Sequence, residues 1–149
     1  MSQVQDVSYV PADCALKARI EQEWLSNAGD FISLDEGSFS VVAVAEGIPV
    51  GVVSAHRRAL AEPLNHLDEV YIGILEVSET CRRAGIGSEL VESVIDWARQ
   101  QSVSQVSSWS LKVRVEALHL WRKLGFTFAR IDSPQQMEAP YGFYVTKRI

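Results

Sequence analysis

Cysteine is scarce in this chain: Cys14 and Cys81 are the only two among 149 residues. They form neither a disulfide framework nor a metal-ligand spacing, so a reducing, cytoplasmic setting is expected. Of the three histidines, His56 and His66 have no ligand-like neighbours in the sequence, and no metal is expected. Positive charge is also in deficit. Fourteen Lys and Arg stand against nineteen Asp and Glu, for a formal net charge of −5. That balance argues against a general nucleic-acid binder, which needs clustered Lys and Arg to neutralise phosphates. No stretch approaches the roughly 20 apolar residues that a membrane helix requires. The first six residues lack the basic-then-apolar order of a leader. Repeats, low-complexity tracts and dividing linkers are absent too, so 1–149 is expected to form a single domain with no membrane or nucleic-acid partner.

What the chain does have is enough apolar material, 47% of residues, to fill one core. Residues 4–10 favour a strand, and Leu16, Ile20 and Trp24 recur at four-residue steps, which predicts a helix over 15–25. Residues 31–37 fit either a short helix or a loop. Two β-rich runs, 39–45 and 50–55, flank Glu46-Gly47-Ile48-Pro49, a hairpin signal. A polar connection over 57–66 leads to a strand over 67–77. The helix over 85–101 shows a stripe of Ile86, Leu90, Val91, Val94, Ile95 and Ala98 against charged positions on the other side. A strand at 105–113, a helix at 115–124 closed by Gly125, and strands at 126–131 and 141–146 complete the order. Strands joined through the long helix should be parallel neighbours, and hairpin-linked strands antiparallel. The expected class is therefore α/β (α+β): a mixed, mostly antiparallel, twisted sheet of six to seven strands with helices on both faces.

The stretch from Val70 to Leu90 organises the rest. It reads as a buried strand, a tight turn over Arg82-Arg83-Ala84-Gly85-Ile86-Gly87, and a helix start. Glycine permits a ligand to approach the main chain closely, and a helix N-terminus offers free N–H groups and partial positive charge. Together they make a candidate phosphate cradle. The dinucleotide fingerprint does not fit, because only two glycines occur and they come late in the chain. The Walker loop does not fit either, for want of Gly-Lys-Ser/Thr.

The turn instead resembles the acyl-CoA loop of the GNAT superfamily of N-acetyltransferases, Gln/Arg-x-x-Gly-x-Gly/Ala between a strand and a long helix. The segment Ala117-Leu-His-Leu-Trp121-Arg-Lys-Leu-Gly125-Phe126 resembles that family's later helix. The resemblance implies acetyl-CoA as cosubstrate and a primary amine, on a small molecule or peptide, as acceptor. It also implies that main-chain groups at Arg83, Ala84, Gly85, Ile86, Gly87 and Ser88 hold the pyrophosphate. Arg82 and Arg83 would add charge, and Leu75 and Val77 would also bind the cofactor, with the Val77 N–H facing the developing oxyanion. Direct attack needs a base for the ammonium acceptor, and Glu69 and Glu76 are the candidates. Seven residues apart, they point to opposite faces of a regular strand, while a bulge reverses that parity. The family's usual tyrosine acid is replaced by Trp121, whose indole N–H donates a hydrogen bond but not a proton. Trp121 is then either core or a wall beside the thiol, and His119, Tyr144 or solvent is left to protonate the thiolate. The resemblance also leaves open a non-catalytic acyl-CoA-binding or regulatory domain, and a homodimer through the 141–148 strand.

Overall fold

Local chemistry sets most element boundaries. Strand β1 (Val7–Pro11) leads to Asp13, whose carboxylate accepts the Leu16 N–H at 2.8 Å and caps α1 (Cys14–Glu23). A 3₁₀ turn, Ala28–Phe31, follows and settles the undecided 31–37 region as a turn followed by a bend. Strands β2 (Ser38–Ala45) and β3 (Ile48–Ala59) are joined by Glu46-Gly47, both at positive φ (52° and 77°). That is the primed two-residue turn whose twist matches the strands it connects. Pro49 sits at a register shift opposite Val44, where a missing N–H costs no ladder bond. Residues 57–59, expected in a polar connection, extend β3 instead. Arg57 and Arg58 there meet Asp68 and Glu69 across the next strand, and those ion pairs stabilise the extra ladder.

The computed structural model describes residues 6–82, 84–111, 114–131 and 142–149. Strand β4 (Asp68–Val77) precedes α2 (Ile86–Arg99), then come β5 (Gln105–Leu111), α3 (Val115–Lys123), β6 (Thr127–Ile131) and β7 (Gly142–Arg148). Among the described residues these make a seven-stranded sheet in the order β1-β2-β3-β4-β5-β7-β6. Only β4 and β5 run parallel, because α2 carries the chain back across the sheet. Strand β7 lies between β5 and β6, with both sides paired. Over Gly142–Thr146 both of its sides are taken by strands of the same chain.

One face of the sheet packs on α2 and α3. Ile86, Leu90, Val91, Val94, Ile95 and Ala98 of α2 meet Val53, Val70, Ile72, Val106 and Val145 in the larger core. The other face packs on α1, where Ile20, Ala28 and Ile32 close over Val42 and Val52. Side chains of 1.5–3 kcal/mol each when fully buried make these two layers the main source of stability. Helix α3 ends at Gly125 (φ 87°), with the Phe126 N–H bonded to the Trp121 carbonyl, a left-handed cap.

Candidate active site

Strand β4 contains the deciding irregularity. Its register against β3 passes from Ser54–Ile74 to Ala55–Ile72, leaving Gly73 as an extra residue. Val70 and Ile72 face the larger core, and so do Leu75 and Val77, three and five positions after Ile72. Ile74 faces the α1 layer. The bulge therefore puts Glu69 and Glu76 on the same face, opposite to what a regular strand predicts.

Beside the bulge the parallel pair comes apart. β4 and β5 pair only through Val70–Val106, Tyr71–Ser107 and Ile72–Ser108. Beyond that point β4 runs on to Val77 and β5 to Leu111 without pairing. The gap opens into a cavity of about 620 Å³. Leu75, Glu76, Val77, Arg82, Gly85, Ile86, Gly87 and Ser88 line one wall, and α3 lines the other. Arg83 lies outside the described residues. Ala84 is exposed next to Gly85 and is not part of the lining. Helix α2 begins at Gly85, which has φ 81°, and no side chain caps it. A Cβ on Gly85 would meet no atom within 4 Å, so its hydrogen keeps the floor open. A Cβ on Gly87 would come within 3.0 Å of Leu120, and that close approach brings α2 against α3. The first turn of α2 thus presents N–H groups to the cavity, an arrangement fitted to an anion such as a pyrophosphate.

Of the α3 wall, sequence reasoning singles out His119 alone as a site candidate. Glu116, His119, Leu120 and Lys123 line it, together with Arg114. Their i, i+3, i+4, i+7 spacing is the signal that marks one helical face. Arg82 bridges the two walls: Nε donates to the Val77 carbonyl at 3.2 Å, and Nη1 lies 3.8 Å from Glu116 and 3.9 Å from Glu79. These pairs are solvent-exposed and long, so they add little stability and leave the guanidinium able to turn to an anion.

The two carboxylates have opposite surroundings. Glu69 is 1% exposed and receives hydrogen bonds from Arg58 of β3, Gln105 of β5 and Tyr144 of β7. Burial pushes its carboxyl up, but the bonds from Tyr144, Gln105 and Arg58 outweigh burial and hold it below its ordinary value. The Tyr144 hydroxyl is pushed up by burial and by its bond to Glu69. Four strands are joined at this carboxylate, just below the point where β4 and β5 separate. With its donors in place, it is poorly suited to accept a proton. Glu76 instead lines the cavity and, among the described residues, receives one hydrogen bond, from the Ser26 hydroxyl. Trp121 lies elsewhere: it is 3% exposed, packs on Phe126 with ring centroids 4.8 Å apart, and does not line the cavity. Its large apolar surface is what places it in the core, so of the alternatives for Trp121 the structure selects core.

The family model for the Acetyltransferase (GNAT) family matches residues 5–126. The chain belongs to the GNAT acetyltransferase family. This GNAT chain is similar to "Probable N-acetyltransferase camello" of Xenopus laevis, 27% identical over 114 residues, which is 76% of this chain and 49% of the relative. It is similar also to "N-acetyltransferase family 8 member 3" of Mus musculus, 33% identical over 85 residues, 57% of this chain and 37% of the relative. The chain spans about half or less of the length of these curated relatives. In fold it resembles Arabidopsis thaliana NAA60 in complex with a bisubstrate analogue, with TM-score 0.78, 18% identity, and coverage of 97% of this chain and 99% of that one. It also resembles Arabidopsis thaliana Naa50 in complex with the bisubstrate analogue CoA-Ac-MVNAL, with TM-score 0.71, 22% identity, and coverage of 95% and 97%. Among the described residues no helix is long and apolar enough to cross a membrane.

Proposed function

We propose that this GNAT domain transfers an acetyl group from acetyl-CoA to a primary amine by direct attack. The observation that carries this reading is the cavity where β4 and β5 separate, floored by the uncapped start of α2 and bordered by Glu76. Main-chain N–H groups from Gly85 to Ser88, with Arg82 and Ala84 beside them, fit the pyrophosphate of CoA, and Leu75 and Val77 border its acyl arm. Acetyl-CoA supplies the thioester that is broken.

The protein's own groups do the rest. Glu76 takes a proton from the incoming ammonium, directly or through a water, so that a free amine attacks. The Val77 N–H faces the oxygen on which charge develops. The departing thiolate, with a pKa near 8.5 in the free thiol, takes its proton from solvent or from His119 on the α3 wall. Trp121 has no part in this. Acceptors are small-molecule amines or peptide N-termini, and the CoA-Ac-MVNAL analogue in the similar Naa50 structure supports the second kind. Residues 1–149 act as one domain in the cytoplasm, and the free thiols of Cys14 and Cys81 support that setting.

The test is thiol release from acetyl-CoA across a panel of amines, together with calorimetry on CoA. Turnover with at least one amine and saturable CoA binding are expected. Failure to bind CoA would overturn the reading. Binding without turnover against any amine would favour the non-catalytic alternative.

A further inference from the structure

Ser26 lies in the segment between α1 and the 3₁₀ turn, 50 positions from Glu76 in sequence. Its hydroxyl donates to Oε2 of Glu76. Oγ of Ser26 in turn accepts the Ala28 N–H at 3.3 Å. A hydroxyl has one proton, and here it is committed to the carboxylate while a main-chain N–H fixes the oxygen from behind.

The segment that carries Ser26 is itself held. Lys17 of α1 reaches across it and donates from Nζ to the Gly29 carbonyl at 2.6 Å and to the Ile32 carbonyl at 2.9 Å. Trp24 closes α1 through its N–H to Ile20 at 3.0 Å. Ala28 is fully buried in the smaller core. Ser26 is therefore pinned on both sides, and its bond to Glu76 spans from the helical layer to the sheet. Among the described residues it is the one hydrogen-bond partner of that carboxylate, which leaves Oε1 for an incoming amine or its water. Glu69, by contrast, has donors from three other strands.

We infer that Ser26 is a positioning residue: it fixes the Glu76 carboxylate by holding Oε2, so that Oε1 faces the acceptor. The inference rests on Glu76 being the base. Without Ser26 the carboxylate turns among its rotamers, and the productive orientation becomes one of several.

The test uses four variants in the acetyl-transfer assay: Ser26→Ala, Ser26→Thr, Glu76→Gln and the double Ser26→Ala/Glu76→Gln. Displacing a catalytic group by about 1 Å costs up to about a hundredfold in rate. Ser26→Ala is therefore expected to lower kcat by about tenfold to a hundredfold while KM for acetyl-CoA stays at the wild-type value. Ser26→Thr, which keeps the hydroxyl, should restore most of the rate. The double variant should be no slower than Glu76→Gln alone, because a residue that acts through another adds nothing once the other is gone. A Ser26→Ala enzyme at wild-type kcat would overturn the inference and leave the Glu76 base standing. So would a double variant slower than Glu76→Gln by the full Ser26→Ala factor. Glu76→Gln at the wild-type rate would instead overturn the base, and the role of Ser26 with it. Ser26 is partly exposed, and melting curves on every variant separate lost positioning from lost fold.

Discussion

Replacing Glu69 with glutamine removes one negative charge from the point where four strands meet, and changes almost nothing in size. The amide oxygen still accepts from Tyr144 and Gln105 at the Oε1 position. At the Oε2 position an NH₂ now faces the Arg58 Nε–H across 2.6 Å, donor against donor. A hydrogen bond to a charged group contributes about 1.5–3 kcal/mol. The Arg58 side chain is 40% exposed and can turn to water, so the loss should be near the lower half of that range. We expect Glu69→Gln to cost about 2 kcal/mol, which for a domain of this size lowers Tm by about 4–8 °C.

The pH dependence gives a second readout. The folded carboxyl of Glu69 lies below its ordinary value, so the stability it contributes is present above the unfolded value, about 4.3. It is lost as pH falls through the lower folded value. The gap in Tm between wild type and Glu69→Gln should be full at neutral pH and close progressively in acid. Circular dichroism melts at several pH values measure it, and acetyl transfer at 25 °C should stay close to wild type. An unchanged Tm, or a gap that does not narrow in acid, would refute the clamp. A normal Tm with abolished turnover would return Glu69 to the position of base.

Other outcomes follow from the same geometry. Gly85→Ala forces a Cβ into the left-handed region at φ 81°; it should cost about 1–2 kcal/mol in stability, and calorimetry should show CoA affinity falling by more than that strain explains, since the methyl stands at the cavity floor. Trp121→Ala should destabilise by about 3–5 kcal/mol by leaving a hole against Phe126, whereas Trp121→Phe should keep kcat within about twofold, because the side chain is core; a large loss of kcat in the folded phenylalanine variant would place it in the chemistry after all. Gly142→Ala would bring a Cβ within 2.4 Å of the Trp109 ring and 2.6 Å of the Ser110 carbonyl; backbone cannot yield as a side-chain tip can, and the urea midpoint should fall by the equivalent of about 1–3 kcal/mol or more.

The sequence by itself determined the element order and the cradle, and both for local reasons. Glycine at 85 and the apolar stripe of 86–98 depend on neighbours a few residues away, and so does the Glu46-Gly47 turn. A period of 3.6 or 2 and the φ preference of glycine are written in consecutive letters. The fate of the candidate site residues was decided at longer range. Gly73 looks like an ordinary strand residue, yet the register of β3 makes it a bulge and brings Glu69 and Glu76 to one face. Glu69 and Glu76 look alike in sequence. They become a clamp and a cavity-lining carboxylate because Arg58, Gln105 and Tyr144 converge on one while, among the described residues, Ser26 from the α1 layer is what reaches the other. Trp121 falls in the segment whose motif raised it as a site candidate, and only packing against Phe126 shows that it fills the core. A side chain's partners across the sheet come from segments 11 to 75 positions away. No local pattern encodes them, because they depend on which strands the fold sets side by side and where the parallel pair comes apart.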